Sequence, residues 1–244
     1  MRKIFVVGLM FLALAGLPAV SHATLTTYIG QDDGAPVGGP FPSSASASYN
    51  FYMAALPLGP FVTTITFEGL PVGFPGPSNP APGVTMALSA PNYGPYFSGV
   101  SNLTYPSSPN LYGFNITTGG SEWLGFAGGS ATFTFASPTD VFGMYMTGLQ
   151  QVFSGTNGLT VSFNDGAPQV LTPPINVNGG TEFFGFTDPG HLISSVTITD
   201  LSNDAWGIDN VSFNKASAVP IPGALLLFAP GLAGLAALRK RIKT

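Results

Sequence analysis

The chain contains no cysteine, which removes thiol nucleophiles, zinc–thiolate centres and disulfides from consideration. Stability outside the cytoplasm then has to come from the core alone. Charge is scarce as well: 7% of residues are charged, against roughly 25% in an ordinary soluble domain. The seven bases are Arg2, Lys3, Lys215, Arg239, Lys240, Arg241 and Lys243, so residues 24–214 hold no lysine or arginine, whereas all eleven acids fall inside that stretch. A region without cations has nothing to neutralise phosphates, which makes nucleic acid, nucleotides and anionic lipid headgroups poor ligands for it. Helical periodicity is missing too: no window of residues 24–214 offers a convincing apolar stripe.

What is present is glycine, proline and alternation. The 244 residues include 32 glycines and 23 prolines, with 45% hydrophobic content, ample for the core of one large β domain or two small ones. Val62–Phe67, Ala131–Phe135, Leu159–Phe163 and Val196–Thr199 alternate apolar residues with Thr or Ser, the period of half-buried strands. Gly, Pro and the run Asn164-Asp165-Gly166 punctuate them, which is hairpin-turn chemistry. This pattern predicts an all-β ectodomain over residues 61–214, an antiparallel β-sandwich or jelly roll of roughly ten strands. Residues 24–60, with Pro36–Pro40 and the Ser-rich Ser43–Ser48, read as a low-complexity extension with at most one strand. The Pro-rich stretch Pro71–Pro82 reads as a surface loop. Gly119–Phe126 is echoed by Gly179–Phe186, as though equivalent strands each start after a Gly-Gly turn.

Both ends carry addresses. Arg2 and Lys3, the apolar run Ile4–Leu17, Pro18 and the small-residue pattern ending at Ala23 predict a signal peptide over residues 1–23, a short apolar helix cut by signal peptidase after Ala23. At the other end, a linker over 215–220 precedes the uncharged apolar segment 221–238, and the tail 239–244 is basic. That order predicts a single transmembrane helix with its tail in the cytoplasm.

Val219-Pro220-Ile221-Pro222-Gly223, then Leu227-Phe228, Gly231-Leu232, Gly234-Leu235 and the closing Arg-Lys-Arg resemble the PEP-CTERM sorting signal in its Val-Pro-Leu-Pro variant, with Ile221 in place of Leu. The resemblance implies a Gram-negative bacterium that makes exopolysaccharide. It also implies an exosortase that cleaves near Pro220 and Pro222, converting an inner-membrane-anchored intermediate into a form at the cell surface or in the extracellular biofilm matrix.

Catalytic chemistry has few candidates. His191 is the one imidazole after residue 23 and lies in the turn-like Asp188-Pro189-Gly190-His191, with no nucleophile elbow to serve it. Glu122 and Glu182 are the pair a glycosidase would use. Acids without basic partners must be solvated, hydrogen-bonded or bound to a cation, and hard oxygen ligands favour calcium. Phe67-Glu68 and the closing Gly207-Ile208-Asp209-Asn210-Val211-Ser212-Phe213 are similar to the ends of jelly-roll carbohydrate-binding modules. That resemblance implies one structural Ca2+ shared by Glu68 and Asp209. Sugar stacking would draw on exposed aromatics, for which Trp123, Trp206, Tyr93 and Tyr96 are the candidates. The sequence therefore leads to a non-enzymatic exported surface or matrix protein. The alternatives are a carbohydrate-binding module for exopolysaccharide and, more remotely, a polysaccharide hydrolase.

Overall fold

The computed structural model describes residues 24–59, 61–73, 78–89, 99–105, 109–156, 158–164 and 167–214. The expected signal peptide with Ala23, the linker, the apolar segment with Pro220 and Pro222, the basic tail, and Tyr93 and Tyr96 lie outside them. No described helix is long and apolar enough to cross a membrane.

The fold is all-β and antiparallel. Among the described residues, eleven strands join one hydrogen-bonded network: β1 Thr26–Asp33, β2 Phe61–Ile65, β3 Ser78–Ala81, β4 Val84–Ser89, β5 Gly99–Ser101, β6 Trp123–Thr139, β7 Val141–Thr147, β8 Leu159–Asn164, β9 Pro168–Leu171, β10 Gly180–Thr187 and β11 Ile193–Asn214. Helices α1, Pro42–Ala55, and α2, Gln151–Ser154, complete the order, with single 3-10 turns at Leu56–Leu58 and Pro109–Leu111. Ala131–Phe135, Leu159–Phe163 and Val196–Thr199 fall in β6, β8 and β11, each offering apolar residues to one face, whereas Val62–Phe67 is strand only as far as Ile65, Phe67 adopting a φ of 63°. In β8, Leu159, Val161 and Phe163 are buried while Thr160 and Ser162 are half-exposed.

Two long strands organise the sheet. β11 runs 22 residues and β6 runs 17, and each serves two stretches of ladder. The first half of β11 lies between β6 and β8. After an irregularity spanning Asp200–Ala205, its second half pairs with β7 and β2 as well as with the start of β6. The sheet curls so that both stretches line one core. Phe163 of β8 stacks on Phe186 of β10, ring centroids 4.5 Å apart, and Phe133 and Phe135 of β6 approach Phe142 of β7.

A second, smaller cluster lies on the opposite face of β10, where Phe51, Ala47 and Ala55 of α1 meet Phe183 and Val141. Helix α1 corrects the expectation that residues 24–60 add at most a strand, and it forms without the apolar stripe that the sequence lacks. The strand is there, as β1, but fourteen helical residues follow it. The buried positions Ser44, Ala47, Ser48, Phe51 and Ala55 have the i, i+3, i+4, i+7, i+11 spacing of a helical face. Small residues make up most of that face, so it shows no apolar stripe in the sequence. The receiving surface is also small. Gly143 and Gly185 are directly paired across β7 and β10, and a Cβ on either would come within 2.9 Å of the Phe51 ring.

One more correction concerns Pro71–Pro82, read as a loop. Residues Ser78–Ala81 form β3 and pair with β4. Pro80 is tolerated because β3 is an edge strand.

Candidate functional site

The densest set of polar contacts ties three segments together: Phe67–Gly69 after β2, residues 113–122 leading into β6, and the bulge at Asp209–Asn210 in β11. Glu68 is exposed, and its Oε1 accepts the backbone N–H of Ser121 and of Glu122, both at 2.8 Å, and the amide of Asn115 at 3.0 Å. Glu122 answers from the other side, its Oε2 accepting the N–H of Gly69. Gly120 makes the approach possible, since a Cβ there would stand 2.3 Å from Glu68 Oε1.

Asp209 is fully buried beneath the same segment. Its Oδ2 accepts from the N–H groups of Ile116 at 2.8 Å and Thr117 at 3.2 Å, and its Oδ1 from the N–H of Asn210 at 2.7 Å. The ladder with β7 shifts register between Asp209 and Ser212, and Asn210 adopts a φ of 49°, a left-handed conformation that Asn accepts more readily than most residues. Burial pushes the Asp209 carboxyl up to about 6, against the pull of these hydrogen bonds.

Glu68 and Asp209 are thus brought to one segment, as their resemblance to a calcium pair requires, but what surrounds them does not fit the ion. Calcium needs a shell of oxygen ligands. The neighbours of Glu68 Oε1 and Asp209 Oδ2 are mainly N–H donors, which fill the positions that a cation would take. No group of three or more His, Asp or Glu residues arranged to hold a metal is found among the described residues.

Two further carboxyls are buried elsewhere. Glu182 on β10 is 2% exposed; its Oε2 accepts from Gln31 Nε2 at 3.1 Å, while Oε1 has no hydrogen-bond partner among the described residues. Desolvation pushes its pKa up to about 8, with the Gln31 bond opposing. Gln31 also bonds Asn176 Oδ1, so one amide links β1, β10 and the segment before β10. Asp204, in the irregular part of β11, accepts the backbone N–H of Gln150. Burial raises it to about 7, and neighbouring Asp200 adds to the rise. Position along the chain offers no hint of these environments: Glu122 and Glu182 occupy the same place in the Gly-Gly echo, yet they share no hydrogen-bond partner, Glu122 meeting Gly69 and Glu182 meeting Gln31.

The tryptophans correct the expectation of exposed stacking platforms. Trp206 is fully buried and stacks on Phe126, with centroids 4.7 Å apart and planes 16° from parallel. Trp123 is 5% exposed, its ring packed over Gly207, and its Nε1 donates to Leu103 O. Neither face is open to a sugar. The echo nonetheless holds in one respect: Phe126 and Phe186 both enter the main core, whereas Trp123 and Phe183 do not. His191 closes a turn, its Nδ1 lying 2.7 Å from Asp188 Oδ1.

Sequence reasoning missed the acceptor role of these acids. The signal available was the glycine beside each partner segment, Gly69 after Glu68 and Gly119-Gly120 before Glu122, where backbone donors are open to a carboxylate. A scan against protein-family models and a search of curated proteins both find no match for this chain.

Proposed function

We propose that the chain is a non-enzymatic, exported surface or matrix protein, whose β domain is a sandwich of jelly-roll type serving as a structural or adhesive module. The observation that carries this reading is the use made of the acids. Asp32, Asp33, Glu68, Glu122, Asp200, Asp204 and Asp209 all accept backbone N–H groups from other segments or turns. Carboxylates spent on holding loops are not poised for proton transfer or nucleophilic attack, which need a group within reach of a substrate.

The two terminal addresses supply the route. Signal peptidase acts after Ala23, and the apolar segment 221–238 is a temporary anchor in the inner membrane that an exosortase removes near Pro220 and Pro222. The resemblance of those residues to a PEP-CTERM signal supports a destination in or on exopolysaccharide. Intact-mass measurement of protein released from the producing cell tests this: the mature chain begins at Thr24 and lacks the Arg239–Lys243 cluster. Recovery of a released form that retains that cluster would refute the sorting step. Binding of exopolysaccharide that survives replacement of both tryptophans would favour a sugar-binding role through other residues.

A further inference from the structure

The turn between β10 and β11 brings a carboxyl, an imidazole and a backbone donor to one Asp–Pro bond. Asp188, Pro189, Gly190 and His191 form a type II turn, with proline second, Gly190 third at a φ of 86° and the His191 N–H donating to Asp188 O at 3.2 Å. The bond between its first two residues is a tertiary amide, which holds its nitrogen less firmly than an ordinary peptide bond does. The carbonyl of that amide is the one that the His191 N–H polarises. The side-chain carboxyl of Asp188 belongs to the same residue as that carbonyl, close enough along the chain to close a small ring onto it. Its Oδ1 lies 2.7 Å from Nδ1 of the His191 imidazole, so a proton on that nitrogen is donated to the carboxylate.

The surroundings separate the carboxyl from solvent but not the bond. Asp188 is 1% exposed, whereas Pro189 is half-buried, Gly190 is exposed and the His191 side chain is 33% exposed. Asp140, between β6 and β7, faces the turn from the sheet. Its backbone O accepts the Asp188 N–H at 2.8 Å, and its carboxyl accepts from the Gly190 N–H and, at 2.7 Å, from Asn214 Nδ2. Burial pushes the Asp140 carboxyl up against the pull of these bonds, so it is slow to add a second charge beside Asp188. Residues 24–214 hold no lysine or arginine and no other histidine, which leaves His191 as the one side chain there that can become a cation.

We propose that Asp188–Pro189 is a self-cleavage site, at which the protein hydrolyses its own chain in mild acid. Oδ2 of Asp188, the oxygen away from His191, attacks the Asp188 carbonyl carbon. Negative charge gathers on the carbonyl oxygen, where the His191 N–H is already placed. The bond to the proline nitrogen breaks as that nitrogen takes a proton from the His191 imidazolium, leaving a cyclic anhydride on Asp188 and an amine on Pro189. Water then opens the anhydride to two carboxyls and returns a proton to His191, so the net change is hydrolysis of one peptide bond. Holding the reacting groups on one turn takes the place of a collision between them. The cut does not release β11, because that strand stays bonded to β6, β7, β8 and β2. One chain becomes two that share a sheet. This inference goes beyond the structural role and does not depend on the sorting route.

The full-length chain in mild detergent is incubated for days at a series of values from about pH 8 to about pH 5, the range in which imidazole gains its proton. Denaturing gels and intact mass follow the products. Two fragments are expected, one ending at Asp188 and one beginning at Pro189, formed faster as pH falls. They should elute together in size exclusion until urea is added. Asp188→Ala and Pro189→Ala should abolish the cut. His191→Gln keeps the backbone donor, and should slow the cut about a hundredfold and flatten its pH dependence. The wild type held unfolded in urea at the same pH keeps the Asp–Pro bond but not the turn, and should also be cut about a hundredfold more slowly. That comparison decides the question by itself if a variant fails to fold. A wild type that stays intact at every pH overturns the proposal, and so does cleavage that proceeds equally fast in urea or in folded His191→Gln.

Discussion

Glu68 and Glu122 hold each other's backbone: Glu68 Oε1 accepts the Glu122 N–H at 2.8 Å, and Glu122 Oε2 accepts the N–H of Gly69, the residue after Glu68. Two carboxylates that would repel in isolation are kept together because each is an acceptor for the other's segment. Hydrogen bonds to charged groups contribute about 1.5–3 kcal/mol when sheltered, and less at this exposed position. Glu68→Ala is expected to cost about 1 kcal/mol and to expose residues 115–122 to proteolysis. Glu122→Ala in the Glu68→Ala background should cost less than it does alone, since one clamp has already been opened. Urea unfolding of the single and double variants checks both.

Stability should fall as pH rises from about 5 to 8. Glu182, Asp204 and Asp209 have folded-state pKa values near 8, 7 and 6, above their ordinary values of 4.5, 3.8 and 3.8. Across those intervals the folded chain retains protons that the unfolded chain has released, so increasing pH favours unfolding. Asp32 acts in the opposite sense: burial tends to raise it, but hydrogen bonds from Ser43 and Ser44 outweigh that and lower it, so its contribution is lost in strong acid. The melting temperature therefore peaks in mild acid. Glu182→Gln keeps an acceptor for Gln31 and removes the charge. It should leave the melting temperature at pH 5 nearly unchanged and raise it at pH 8 by roughly 5 °C.

The Gly143–Gly185 pair is expected to tolerate no side chain. Gly143→Ala puts a methyl group 2.9 Å from both Phe51 and Phe183, two rings buried in the second cluster. Overpacking of this kind costs about 1–3 kcal/mol. Phe51→Leu in the same chain relieves part of the clash, so the double variant should lose less than the sum of the single ones. Thermal unfolding of the three variants measures this.

Calcium should have little effect. The N–H donors around Glu68 and Asp209 already serve these carboxylates, so melting in excess EDTA and in millimolar calcium should coincide within about 1 °C. A bound ion at a hundredfold excess over Kd would instead add about 2.7 kcal/mol.

The alternating strands were legible and the helix was not, for one physical reason. Strand alternation in segments such as Leu159–Phe163 is written in the contrast between large apolar and small polar side chains. The buried face of α1 is written in Ser44, Ala47 and Ser48, where size matters and polarity does not. Glu68 and Asp209 were singled out only by the resemblance of Phe67-Glu68 and Gly207–Phe213 to the ends of jelly-roll modules. Their partners were not, because those are backbone N–H groups, which every residue but proline carries. Trp206 and Trp123 misled for the reverse reason: a ring that can stack on a sugar stacks equally well on Phe126 or over a glycine.

The position of β11 has a mechanical consequence. It ends at Asn214 after threading both stretches of sheet, with β6 and β8 along one half and β7 and β2 along the other. A pull applied beyond Asn214 acts along the axis of an interior strand. Ladder bonds perpendicular to that axis are loaded side by side in shear, instead of parting one after another as they would if an edge strand were peeled away. A load on that end is thus carried by a strand bonded along both of its sides.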